Sequence, residues 1–184
     1  MISRTELRRI ARARLRDAEV LFGAGRYDGA IYVCGYAIEL TLKARICRVM
    51  STFVEKLKAI EGEIARERGR FALFALFERE ELPGRWDVVF SAPWVGESRR
   101  SAIDYLVGKS RTALDSEEFL SIARFVPLRP AEDFVRALTQ TVHVEHGLVE
   151  LHNEVVNGLF VTHGYVITSQ PGNQPLLETE KMAT

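Results

Sequence analysis

The sequence has few of the features that define a function class by composition alone. Its 184 residues include two cysteines and six prolines, and 25 basic side chains balance 25 acidic ones. The zero net charge excludes a polycationic protein, so any nucleic-acid site would have to be a local patch. No apolar run approaches the roughly 20 residues of a membrane span, and the start, MISRTELRR, lacks the apolar core of a signal peptide. We therefore expect a cytoplasmic protein with no membrane partner.

The two cysteines, Cys34 and Cys47, lie on one predicted helix. Their spacing corresponds to roughly 20 Å of axial rise, which is too far for a disulfide within a straight helix. Both are therefore predicted to be small buried hydrophobic residues in a reducing compartment.

The potential metal ligands form no complete set. The candidates lie close together in sequence: His143, Glu145, His146 and His152. On a strand, His146 would point away from the face that His143 and Glu145 share. A zinc site requires a further converging ligand, which this spacing does not supply. P-loop, GxGxxG and GxSxG motifs are also absent. The sequence thus predicts neither a metal nor a cofactor.

The most regular stretch runs from Arg26 to Arg48 and predicts a central helix. One face carries apolar residues at steps of three and four: Ala30, Val33, Ala37, Leu40, Ala44 and Cys47. A second set widens this face: Ile31, Cys34, Ile38 and Ile46. A helix that is apolar nearly all round is predicted to be buried. Residues 3–22 predict a first helix capped by Ser3 or Thr5, and Ser3 has capping-box spacing with Glu6. The short turn between the two helices predicts an antiparallel pair.

Arginines repeat every fourth residue along the outside of the first predicted helix. We name this set the arginine stripe: Arg4, Arg8, Arg12 and Arg16. One interpretation is a solvated polar face. The other is a surface for a polyanion or an acidic partner, because arginines suit bidentate phosphate contacts and few acidic residues lie among them.

The two predicted helices resemble the HEPN family over roughly residues 5–50, in the stretch AEVLFGAGRYDGAIYVCGYAIELTLKARICR. The resemblance rests on a glycine-containing turn followed by a set of motif residues: Tyr27, Gly35, Tyr36, Glu39 and Lys43, with Ala30 and the run Leu42-Lys43-Ala44. HEPN domains are small helical bundles found in toxin–antitoxin pairs with nucleotidyltransferases and in RNA-cleaving toxins. The resemblance therefore implies a helical bundle that acts on RNA or pairs with a nucleotidyltransferase-like protein.

The stretch that follows predicts an extension of this helical module to residue 82. Residues 51–68 predict a third, amphipathic helix, with its apolar residues inward and its Glu and Lys residues outward. FALFALFERE is apolar and helical in propensity, and suits packing on the bundle or closing a dimer. Pro83-Gly84 then breaks the chain and predicts the domain boundary.

The remainder predicts a small mixed α/β module over residues 83–170 and a flexible tail over residues 171–184. WDVVFSAPWV indicates a buried strand. Helices are predicted at 99–114, at 117–123 before a strand RFVPL, and from Pro130 to about Thr139. Residues 142–156 are compatible with helix or strand, but Asn157-Gly158 favours a β-hairpin.

Arg136 and His143 match the R-x4–6-H pattern of the RNA-cleaving HEPN proteins. The resemblance implies that the histidine would act as a general base or stabilise the transition state, while the arginine would hold the phosphate. This pair lies far downstream of the two HEPN-like helices, at a predicted helix-to-strand junction. We therefore expect that it is not a ribonuclease site.

Together these features predict an α+β protein: an antiparallel HEPN-like helical bundle followed by a small α/β module with a C-terminal hairpin. The favoured function is a non-catalytic module that self-associates and binds RNA, a nucleotide ligand or a nucleotidyltransferase-like partner. One alternative is a metal-independent ribonuclease that uses Arg136 and His143. Another is a small-ligand binding protein with a pocket between the modules, near Trp86 and Trp94.

Overall fold

The computed structural model describes residues 3–96 and 98–171. The tail predicted at residues 171–184 lies, apart from residue 171, outside the described residues. The chain divides into two compact units, residues 1–55 (unit 1) and residues 56–184 (unit 2). The elements follow in this order: α1 (Arg4–Gly23), α2 (Tyr27–Arg68), β1 (Leu73–Glu78), β2 (Trp86–Ser91), a 3₁₀ turn (Pro93–Gly96), α3 (Arg99–Ala113), α4 (Ser116–Ser121), β3 (Ile122–Leu128), α5 (Asp133–Thr141), β4 (Val149–Val156) and β5 (Leu159–Ser169). The predicted α+β class is confirmed.

Local sequence determines where α1 begins and ends. The Ser3 hydroxyl accepts a hydrogen bond from the Glu6 backbone N–H at 3.1 Å, which satisfies one of the free donors of the first turn. After the helix, Gly25 adopts a φ of 73°, a left-handed conformation that glycine adopts at little cost. The first predicted helix is therefore confirmed, and of its two candidate caps the structure uses Ser3 and not Thr5.

Unit 1 is a pair of helices, α1 and the first part of α2, with a narrow core. Near the turn, a Cβ added at Gly29 would lie 3.6 Å from Leu21 Cδ1, so the two helices are close there. Farther from the turn, one cluster joins residues of both helices: Leu7, Ala11, Leu40 and Ala44. These contacts make the helices antiparallel, as predicted.

α2 is one continuous helix of 42 residues, whereas the sequence analysis predicted two helices over 26–48 and 51–68. No glycine or proline lies between Arg48 and Ser51 to end the first of them. Neither α2 nor another helix within the described ranges is both long and apolar enough to cross a bilayer.

The two apolar sets predicted on α2 differ in burial. Most of the first set is buried, including Ala30, Ala37, Leu40 and Ala44, whereas Cys47 is exposed. The second set is not a core face: Ile31, Ile38 and Ile46 are exposed. The prediction of a helix buried all round is therefore wrong for a single chain, because α1 covers only one side of α2 in unit 1.

A five-stranded sheet forms the centre of unit 2, with the strand order β3-β2-β1-β5-β4. The β2–β3 pair is parallel and the other neighbours are antiparallel. The middle strand, β1, is buried on both faces. On one face, Ala75 and Phe77 pack with Val135 and Leu138 of α5. On the other, the Phe74 ring meets the Phe71 ring.

The sheet changes two predictions for the segment around residue 80. FALFALFERE contains β1, so its prediction as a helix is wrong. Its continuous apolar run reflects burial on both faces of a central strand. Pro83-Gly84 lies in the connection between the paired strands β1 and β2. The predicted boundary at this dipeptide therefore differs from the division observed after Glu55.

The second half otherwise follows the predicted order of elements. β2, α3, α4, β3 and α5 lie close to their predicted positions. Asn157 and Gly158 have φ values of 47° and 80°, as a type I′ turn requires, and they join β4 to β5 in the predicted hairpin. Residues 142–148 precede β4, and Val144 alone among them bridges to Ser169.

Candidate functional site

The arginine stripe lies on the exposed side of α1. All four of its guanidinium groups are exposed, and none makes an ion pair with a residue that the structure describes. The neighbouring arginines differ, because Arg9 pairs with Glu6 at 2.6 Å and Arg14 pairs with Asp17 at 2.9 Å. Hydrogen bonding to Glu6 raises the pKa of Arg9. The stripe thus carries the uncompensated positive charge of α1.

A row of exposed apolar residues runs along α2. We name it the apolar stripe: Ile31, Ile38, Leu42, Ile46 and Val49. Their exposed fractions lie between 50% and 71%. At about 100° of rotation per residue, these positions fall within roughly 80° of one another around the helix. An aligned apolar row of this kind is typical of a surface that packs on another helix.

The predicted family-motif residues lie beside the apolar stripe or next to the turn. Tyr27 begins α2, and its ring packs edge-on against Phe22 with centroids 5.4 Å apart. Glu39 and Lys43 form an ion pair at 2.6 Å, which raises the pKa of Lys43. The two remaining motif residues, Gly35 and Tyr36, are exposed. The structure thus places this motif at the surface of α2.

Arg136 and His143 are not joined by a contact in the described part of the chain. Arg136 lies within α5 and pairs with Asp133 at 2.6 Å. His143 is exposed and follows the last residue of α5, Thr141, by two positions. The pair therefore lies in unit 2 rather than on the helices of unit 1.

The three histidines and one glutamate that cluster in sequence separate in the structure. Glu145 pairs with Arg70 at 3.1 Å, His146 contacts Glu61, and His152 lies on the hairpin. They separate because residues 143–147 form no regular strand, so the alternation assumed for them does not apply.

A cavity of about 560 Å³ lies within unit 2, and we name it the Glu61 pocket. The Glu61 side chain, from α2, is buried, yet both of its carboxylate oxygens are satisfied. Its Oε2 accepts a hydrogen bond from His146 Nδ1 at 2.6 Å, and its Oε1 accepts one from the Thr168 hydroxyl at 2.9 Å. The His146 backbone N–H donates to the same hydroxyl at 3.2 Å. This closed network fixes the imidazole and leaves Nε2 free of a partner among the described residues.

Two backbone features support this network. His146 has a φ of 48°, which a non-glycine residue seldom adopts and which is enriched at functional sites. On α2, a Cβ at Gly62 would lie 2.6 Å from His146 Cε1, so the imidazole packs on bare backbone. Basic side chains also line the pocket, from Arg66 and Arg70.

The Glu61 pocket was missed in the sequence analysis, which placed the glutamates of residues 51–68 outward. The position of Glu61 between Ile60 and Ile64 was the available signal, because a glutamate on the apolar side of a helix requires a buried partner. The pocket also differs in place from the predicted small-ligand site, since neither Trp86 nor Trp94 lines it.

Comparisons with known proteins support an assignment for the first part of the chain alone. No curated protein and no solved structure matches the chain. The family model of the HEPN domain matches residues 5–56, a range that ends where unit 1 ends and does not extend into the sheet. By this match, as its residues predicted, the N-terminal region is similar to the HEPN domain family.

Proposed function

We propose that this protein is a non-catalytic interaction module that self-associates through α2 and binds RNA through the arginine stripe. The observation that carries the proposal is the contrast within α1 between paired and unpaired arginines. Four guanidinium groups without carboxylate partners among the described residues keep their hydrogen-bond donors available for phosphate oxygens. They repeat about every 6 Å along the axis, so one backbone could contact several of them.

Self-association is supported by the apolar stripe. Single exposed apolar side chains are ordinary, but five in one row on a helix expose a contiguous apolar surface that favours burial. A second copy of the chain is the simplest occupant, since a two-fold axis would pack the same row on itself. Gly35 lies beside the row with no atom within 4 Å of an added Cβ, which leaves room for a close helix approach.

RNA binding is tested by fluorescence anisotropy with a short single-stranded RNA at roughly 50 and 200 mM salt. Changing all four stripe arginines to glutamine should weaken binding and flatten the slope of log K against log salt by about 3, because each neutralised phosphate contributes about 0.7. The charge-matched control replaces four exposed arginines that have carboxylate partners: Arg9, Arg14, Arg99 and Arg136. It should bind nearly as tightly as the parent.

Two results would contradict the RNA proposal. The parent could fail to bind RNA even at low salt, which would leave the stripe as a solvated face or as a surface for an acidic protein. Alternatively, the control could lose as much RNA affinity as the stripe variant. The loss would then reflect the net charge of the protein and not the position of the stripe arginines.

Self-association is tested by sedimentation velocity at micromolar concentration. The parent should sediment as a dimer or larger, whereas Leu42→Glu should sediment as a monomer with an unchanged circular dichroism spectrum. Leu120→Glu, at an exposed apolar residue of α4 outside the stripe, is the matched control and should leave the assembly intact. A monomeric parent would remove this part of the proposal.

Small-ligand binding in the Glu61 pocket is the second candidate function, favoured by the oriented imidazole of His146. A ligand could accept or donate at Nε2 and place an anionic group beside Arg66. Calorimetric titration with AMP and with inorganic phosphate tests this, with His146→Gln as the variant and His143→Gln as the control. Binding that survives His146→Gln, or no binding by the parent, would reject the pocket as the site for these probes.

A further inference from the structure

The β4–β5 hairpin brings together three side chains that are separated in sequence. His152 of β4 lies directly opposite His163 of β5, and Glu150 lies two residues before His152 on the same face of β4. One ligand atom from each of these residues lies within 4.8 Å of the other two. No other group of three or more metal-binding side chains meets this condition among residues 3–96 and 98–171.

The distances within the group fit a small coordination shell. Glu150 Oε1 lies 2.9 Å from His163 Nε2 and 3.5 Å from His152 Nε2. Zinc binds imidazole nitrogen and carboxylate oxygen at about 2.0–2.1 Å in a tetrahedron, whose edges are then about 3.3 Å. The two observed separations bracket that edge, so small side-chain shifts would place all three atoms around one ion.

The imidazole of His163 is held in place on several sides. Its ring stacks on His152 with centroids 4.5 Å apart, and it contacts the rings of Trp86 and Tyr165 at 5.6 and 4.6 Å. A ligand that is fixed before binding loses little conformational freedom when the ion arrives. By contrast, His152 and Glu150 are only partly covered, which leaves a path for an ion and a water molecule.

A hydrogen bond between Glu150 and one histidine would account for only part of the arrangement of these three side chains. One histidine would suffice to pair with Glu150, yet both histidines direct Nε2 toward the same carboxylate oxygen. Two imidazoles and one carboxylate around a common point form the donor set of zinc sites that keep an open position.

We propose that Glu150, His152 and His163 bind one Zn²⁺ ion through Oε1 and the two Nε2 atoms, with the fourth position open to water. The proposal concerns unit 2 and is independent of the arginine stripe. It replaces the expectation that the chain has no metal site.

The test uses the full chain after treatment with a chelator. Calorimetric titration with Zn²⁺ should give one equivalent, and Co²⁺ should give the visible absorption bands of a four-coordinate ion. His152→Ala and Glu150→Gln should each weaken Zn²⁺ binding by at least about tenfold, since loss of even an outer-shell partner costs 10–100-fold in such sites. His143→Ala is the control, because His143 is exposed and lies outside the group.

Each remaining outcome overturns the proposal. The parent could bind no Zn²⁺ at micromolar concentration. Binding could fall in His143→Ala as much as in His152→Ala, which would indicate adventitious surface binding. Circular dichroism of the two ligand variants shows whether they fold, and Glu150→Gln, which keeps both imidazoles and the shape of the side chain, separates lost coordination from lost structure.

Discussion

The two units of this protein bury their apolar residues to very different extents. In unit 1, small residues such as Ala11, Ala37 and Ala44 form much of the contact between two helices, and the apolar stripe of α2 remains exposed. In unit 2, the phenylalanines of the central strands are fully buried, and the buried acids have partners. We therefore propose that self-association covers the apolar stripe of unit 1, whereas unit 2 has a core of its own.

The largest effect on folding is expected from a substitution at Ala37 of α2, and the same substitution at the adjacent Ile38 is its contrast. Ala37 is 5% exposed, so Ala37→Glu places bulk and an unpaired charge between two close-packed helices and should abolish the fold of unit 1. Ile38→Glu, one position further on the exposed side, should keep the fold and abolish self-association. Circular dichroism and sedimentation velocity separate the two results. Equal melting temperatures for Ala37→Glu and the parent would show that Ala37 does not lie on the buried face of α2.

The next effect tests the core of unit 2. Phe74 is completely buried in the central strand, so Phe74→Ala should lower the free energy of unfolding by about 3–5 kcal/mol. Val20→Ala, at an exposed residue of α1, should change it by no more than about 0.5 kcal/mol. Urea denaturation followed by tryptophan fluorescence and circular dichroism measures both values. A small decrease in the free energy of unfolding for Phe74→Ala would contradict the claim that unit 2 has a well-packed core of its own.

Two helical glycines of α2 should respond in opposite directions to alanine. Gly62→Ala forces His146 off Glu61 and should destabilise the protein by about 1–3 kcal/mol, because a buried carboxylate oxygen loses its donor. Gly35→Ala meets no other described atom of the chain within 4 Å and should stabilise α2 of the monomer by about 0.5–1 kcal/mol, a gain that the proposed close approach of a second copy would reduce. Denaturation curves give both signs, and a stabilising Gly62→Ala would mean that the imidazole does not pack there.

A smaller, pH-dependent effect is expected where α3 meets the end of α2 within unit 2. Hydrogen bonds from Lys109, at 2.8 Å, and from Tyr105 lower the pKa of Glu67 below its ordinary value of 4.5. Their contribution to stability is therefore present above about pH 4.5 and is lost as the pH falls below it. Lys109→Met should lower the melting temperature slightly at pH 7 but not near pH 3. Lys58→Met, at a lysine without an ion pair among the described residues, should show no such pH dependence.

We expect that the parent protein does not cleave RNA and that His143→Ala therefore changes nothing in a cleavage assay. Arg136 is paired with Asp133 and makes no contact with His143, so neither residue is positioned by the other for acid–base chemistry. Purified protein in EDTA should leave structured and single-stranded RNA intact, as should His143→Ala. Cleavage by the parent that disappears in His143→Ala would establish the ribonuclease alternative.

Much of this fold could be predicted where the determining interactions are local. The Ser3 cap, the glycine turn after α1 and the Asn157-Gly158 turn each act over a few residues, and the structure contains all three. FALFALF was assigned to a helix because a strand buried on both faces shows no alternation, so periodicity cannot distinguish it from a buried helix.

The sites were harder to predict because they join distant parts of the chain. The partner of Glu61 lies 85 residues away at His146, and no local pattern connects them. The pairing of His152 with His163 was accessible in principle. A two-residue turn at 157–158 fixes the register of the hairpin, and counting outward from it places these histidines opposite each other.

The same turn limits which changes of chain length this protein can tolerate. Side chains alternate between the two faces of a strand, so one residue inserted or deleted beside Asn157-Gly158 would shift one strand by a single position. His152 and His163 would then lie on opposite faces, although neither residue had been substituted. The connection between β1 and β2, around Pro83-Gly84, is longer, so its extra residues can absorb a change of length while Arg79 and Asp87 keep the ion pair that joins its two ends at 2.9 Å. Among natural variants, we therefore expect gaps and insertions near residue 83 and a constant length from residue 150 to residue 165.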